Sequence, residues 1–134
     1  MFGIATRHHP GFDGTIEGAR LIYRRDYWAP IHGDELPPAL ALVVFDGSVD
    51  PGLGWASVAL QRLVHVDHDG VVGPDTVAAA KHSSWLTVLQ FTSARIAEFE
   101  RLARIYPPKA KYLDGWRNRS LLAYRQAVKL EAAA

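Results

Sequence analysis

The sequence predicts an all-α fold, a single domain of about six helices. Three observations carry this. Apolar residues recur every three or four positions along successive stretches, scarcely any segment alternates as a half-buried strand would, and breaks rich in Pro and Gly separate the stretches.

The first helix is predicted from Thr15, which serves as its cap. Ile16, Ala19, Tyr23 and Tyr27 share one face, Glu17 lies in the first turn, and Pro30 ends the run. PIHGDELPP is a loop whose Pro37 and Pro38 open a second helix, ALALVVFDGSV, apolar all round and therefore central. After the break DPGLG, WASVALQRLV makes a third helix with Trp55, Val58, Ala59 and Leu63 on one face. HVDHDGVVGPDT is a turn-rich connector, and Pro74 starts a short helix through Ala80. Ser83 or Ser84 caps the longest helix, with an expected buried stripe of Trp85, Leu89, Ile96, Phe99, Ala103 and Tyr106. Glu100 and Arg104 are spaced to pair on its outer face. YPPKAKYLDG breaks the chain again, and a final helix, capped by Asp114, carries WRNRSLLAYRQAVKLEAAA.

At 134 residues, the chain is long enough for one core that buries about two-thirds of its unfolded surface. With 49% apolar and 22% charged residues it is a folding sequence and not a disordered tail. A net charge of +1, acids and bases mixed throughout, lacks the basic footprint of a nucleic-acid binder. No apolar run approaches the ~20 residues of a membrane span. The front lacks the pattern of a signal peptide, so cytoplasmic synthesis is expected, with delivery to any cell-wall or phage-particle site by another agent. Cysteine is absent, which excludes disulfides and thiolate chemistry.

Three segments are more specific than the composition: EGARLIYRRDYWAPIHGDELPPALALVVFDGSVDPG, then ALQRLVHVDHDGVVGPDTVAAA, then Arg95 with YLDGWRNR. In this order they resemble glycoside hydrolase family 108, the lysozyme-like muramidases of bacteria and phage endolysins, joined to a predicted peptidoglycan-binding domain. The matching motifs are the Y-x-x-x-Y-W helix end at Tyr23 to Trp28, F-D-x-x-V at Phe45 to Gly52, the connector at Leu60 to Thr76, and G-W-x-x-R at Gly115 to Arg119. The resemblance spans nearly the whole chain, with residues 1–64 as the muramidase half and 65–134 as the peptidoglycan-binding half. It implies a lysozyme-like helical fold, peptidoglycan glycan strands as the partner, and no cofactor. Gly3, Ile4 and Thr6 look like the tail of the family's G-G-x-T-x-x-G-I-T segment, with Ala5 where Thr is usual. The family's catalytic glutamate lies upstream of that segment and has no match here. The expectation is an N-terminally truncated scaffold with hydrolysis lost, or an active muramidase whose glutamate comes from a missing N-terminus or a partner chain.

Glycosidic cleavage needs a protonated carboxyl, its pKa raised by an apolar setting, and usually a second carboxylate. Glu17, Asp26, Asp46 and Asp50 are the acids that could substitute. Asp46 and Asp50 are four apart near a helix end, hence on one face, and Asp50 stands where the family usually has Asn. A glycan-facing edge is expected at Tyr27, Trp28, His32, Asp34 and Glu35, with Asp50 at an inherited substrate contact. Trp55, Trp85 and Trp116 read as core residues. The connector superficially offers calcium Asp67, Asp69 and Gly70, but His65 and Thr76 would hold the end positions where oxygen and a bidentate Glu are required. His65 with His68, and His8 with His9, lack a third converging ligand. No metal is expected. No G-x-S-x-G elbow exists to present a nucleophilic serine. A third reading is a structural or interaction component of a phage-like particle, in which an exposed apolar patch takes a protein partner or a second copy.

Overall fold

A computed structural model describes residues 9–133, so Gly3, Ile4, Ala5 and Thr6 of the opening motif, and His8, lie outside the described residues. The fold is all-α. Six α-helices and no strand occur among the described residues.

Helix α1 (Ile16–Tyr23) begins where expected: the Thr15 hydroxyl accepts from the Gly18 amide at 2.9 Å, and Asp13 in turn accepts from that hydroxyl at 2.7 Å. It runs on through a π-helical turn, Arg24–Trp28. Helix α2 (Pro38–Gly47) buries Leu40, Ala41, Val43 and Val44, and α5 and α6 pack against it. A helix apolar on every side can only be central, and Leu40, Val43 and Val44 each contribute about 1.5–3 kcal/mol. At Asp50 the backbone becomes extended (φ −155, ψ 117), the conformation favoured before a proline.

Helix α3 (Leu53–Val64) ends at His65 in the left-handed region (φ 62, ψ 45), the geometry that a helix C-cap favours and that glycine adopts without steric cost. The connector after it is organised by Gln61, whose amide nitrogen donates to Asp69 at 2.8 Å and to the Val71 carbonyl at 3.0 Å while its oxygen accepts from the Gly70 amide at 3.0 Å. The Asp69 carboxylate also accepts from the Val71 amide, so the turn is closed by the chain's own donors. Helix α4 (Pro74–Ala80) follows, then α5 (Trp85–Ile105), whose cap is Ser84 with Thr87 completing a capping box. A 3-10 turn, Pro107–Tyr112, leads into α6 (Leu113–Ala133).

Four expectations need correction. The buried line of α5 is Val88, Phe91, Thr92, Arg95 and Phe99, which shares only Phe99 with the expected stripe. Trp85 is 64% exposed, and Leu89 and Tyr106 are exposed as well. The shift arises because an arginine occupies a core position, and apolar periodicity skips over it. On α3 the buried residues are Ala56, Ser57, Ala59, Leu60 and Gln61, while Trp55, Val58 and Leu63 are only partly covered. Asp114 is not a cap but an exposed first-turn residue, because the 3-10 turn feeds directly into α6. Glu100 meets Arg117 at 3.7 Å across helices instead of pairing along α5 with Arg104.

Candidate functional site

Two polar clusters flank α2. At its C-terminal end lies Arg95, 1% exposed, with each guanidinium nitrogen hydrogen-bonded. Its guanidinium donates to the Asp46 carboxylate at 2.6 Å, to the Asp46 carbonyl at 3.2 Å and to the Asp50 carbonyl at 2.9 Å. The kink at Asp50 turns that carbonyl out of the helical ladder and makes it available. Arg119 of α6 reaches the other side of Asp46 at 3.3 Å. Arg95 also lies over the Phe99 ring, and Phe99 stacks on Trp116 with ring centroids 4.7 Å apart. The motif segments around Asp46, Arg95 and Trp116 therefore converge on one node. Burial pulls the Arg95 guanidinium down from its ordinary value, opposed by Asp46. Burial pushes the Asp50 carboxyl up, opposed by Arg119 and Arg95.

At the other cluster the π-helical turn and the 3-10 turn Gly33–Glu35 meet. The Trp28 indole donates to Asp34 at 3.0 Å, and Arg24 donates to the same carboxylate at 2.8 Å. A Cβ at Gly33 would collide with the indole, so glycine is what lets the loop lie flat on Trp28. His32 meets Glu35 at 2.6 Å. Trp28 also packs edge-on against Phe45, and the two rings with Tyr23 floor a shallow depression of about 240 Å³ flanked by Arg20 and Arg24. Aromatic faces beside exposed hydrogen-bonding groups suit sugar rings, which present apolar faces and hydroxyl edges.

The structure thus pairs Trp28 with Asp34 and His32 with Glu35 on one loop, whereas Asp50 belongs to the Arg95 cluster. Tyr27 is half-buried, its ring against Tyr23 with centroids 5.7 Å apart and its hydroxyl 3.4 Å from His9. Arg20, Tyr23, Arg24 and Phe45 were not among the expected site residues. The signal for two of them was present, since Tyr23 and Phe45 open the first two motifs.

The four candidate acids fall apart in space and in chemistry. Glu17 is an exposed helix-start charge. Asp26 is bonded twice by Arg25, at 2.7 and 3.0 Å, and lies 3.0 Å from His9; the Arg25 bonds chiefly hold its carboxyl below the usual range. Asp46 is spanned by Arg95 and Arg119. Asp50 is shifted by burial in the direction a general acid requires. No group of three or more His, Asp or Glu side chains among the described residues could hold a metal ion. No helix among them is long and apolar enough to cross a membrane.

Residues 1–52 match the family described as Glycosyl hydrolase 108, and residues 55–121 match the family described as Predicted Peptidoglycan domain. Among solved structures, that of Brucella abortus SagA is similar, at 26% identity and a TM-score of 0.64, over 91% of this chain and 71% of that one. No curated protein matches the chain.

Proposed function

The chain belongs to the Predicted Peptidoglycan domain family, which matches half of its length behind a Glycosyl hydrolase 108 segment, and on that premise we propose a peptidoglycan-directed protein that holds the polymer without cutting it. The observation that carries this is the fate of the carboxylates. Asp26 and Asp46 are committed to arginines, and Glu17 stands in solvent. General acid catalysis is worth about 10²–10⁴ in rate, and none of these three groups can supply it. The depression at Tyr23, Trp28 and Phe45 is the surface offered to glycan. The same reading sets the work of the protein at the cell wall, or in a phage-like particle directed to one.

The test is incubation of the purified protein with insoluble peptidoglycan, scoring retention in the pellet and release of reducing muramic-acid ends together. Retention without release is expected. Release favours the second reading, an active muramidase, and Asp50 is the observation behind it, since burial raises its carboxyl. Loss of release in Asp50→Asn would then assign the acid. A third reading, a scaffold that associates with a protein partner or a second copy, has the exposed Trp85, Leu86, Leu122 and Val128 in its favour. Concentration-dependent sedimentation with no retention on peptidoglycan would move the assignment there.

A further inference from the structure

A groove of about 740 Å³ runs between α3 and α5. Its lining is largely apolar, with Trp55, Val58 and Leu63 on one side and Ala94 and Ala97 on the other. This is the face of α3 that periodicity assigns to the core, left only partly covered. The alanines leave the space that longer side chains at 94 and 97 would fill.

The rim is basic. Arg62, Arg101 and Arg104 border the groove with a single acid, Glu98. That acid is consumed by Arg101, which donates to it at 2.6 and 2.9 Å. Arg62 and Arg104 are exposed and have no carboxylate partner among the described residues. Two spare guanidiniums over an apolar floor complement a chain that carries carboxylates between small apolar side chains, because a guanidinium fork pairs with carboxylate bidentately. A neutral sugar strand would offer both arginines hydroxyls but no charge to pair with, and one side of Trp55 is already taken by Phe91, 5.6 Å away between centroids.

We propose that the α3–α5 groove binds a short anionic peptide, the alanine-containing, carboxylate-bearing stem peptide of peptidoglycan. The proposal rests on the peptidoglycan reading above and adds that the peptide is recognised at a site separate from the glycan depression. Arg62 and Arg104 hold the carboxylates, and the alanine-lined floor receives the methyl side chains.

The test is calorimetric titration with a purified stem tetrapeptide, free and with its carboxylates amidated, beside retention on intact peptidoglycan and on glycan strands stripped of peptide by an amidase. The free peptide is expected to bind, and amidation to weaken it about tenfold or more. The double variant R62E/R104E is expected to lose a similar factor with its circular dichroism unchanged. Should that variant fail to fold, Ala97→Leu fills the groove from an exposed position, keeps both arginines, and is expected to weaken the peptide equally. Equal affinity for free and amidated peptide, unchanged affinity in a folded variant, or equal retention on intact and stripped strands overturns the groove assignment while leaving the peptidoglycan reading in place. No retention on either material overturns both.

Discussion

Arg95 and Arg24 each hold an aspartate, at 2.6 and 2.8 Å, yet the two pairs do different things. The Arg95 side chain is 2% exposed and that of Arg24 is 64% exposed. At the first, the guanidinium ties the end of α2 to α5, with Arg119 of α6 on the same carboxylate. At the second, the pair orients Trp28 from a surface where water competes for every bond. Contact distance does not separate architecture from accessible chemistry; depth does, because a buried charge that loses its partner cannot turn to solvent.

The sharpest way to break this contrast is Arg95→Ala. It leaves Asp46 with Arg119 alone and the Asp46 and Asp50 carbonyls short of a donor, so a loss of about 2–4 kcal/mol is expected in urea unfolding. A loss under about 1 kcal/mol would mean that the node is decoration. Gly33→Ala should come next, at about 1–3 kcal/mol, since the new methyl must displace the Trp28 indole. Retention on peptidoglycan should fall with it, and full retention would show that the indole position is irrelevant to the glycan. Arg24→Ala should cost less than about 1 kcal/mol in stability. Its retention should nevertheless fall about fivefold, which is the worth of one hydrogen bond. The smallest effect is one of slope. Burial raises the folded Asp50 carboxyl above its ordinary 3.8, so between 3.8 and the raised value the folded state binds more protons than the unfolded one. Stability therefore falls as pH rises through that window and is regained on acidification. Asp50→Asn should remove this slope from the difference between paired urea titrations, and an unchanged slope would place the titration elsewhere.

Much of the fold was legible because its punctuation is chemical. Thr15, Pro38, Pro74 and Ser84 mark their helix starts by what their side chains can and cannot bond. The stripe of α5 was not legible, because Arg95 enters the core only in company with Asp46, 49 positions away, and that pairing is invisible to any local pattern. The local pairings of Trp28 with Asp34 and of His32 with Glu35 were legible as one cluster, because these residues are neighbours in the chain and stay neighbours in space. Tyr27 and Trp28 are adjacent in sequence yet meet different polar partners, His9 and Asp34, because successive positions on a helical turn point about a quarter-turn apart. Asp46 and Asp50 could be placed near each other, but which of them meets guanidinium and which meets burial depends on the kink between them.

The all-apolar α2 is itself a statement about inheritance. Its sequence falls within the segment matched to one family, yet its cover is α5 and α6, and α5 lies wholly within the segment matched to the other. Either cassette alone would expose an oily rod or an empty trough. A graft of either segment onto another protein would have to bring the other with it to keep α2 covered.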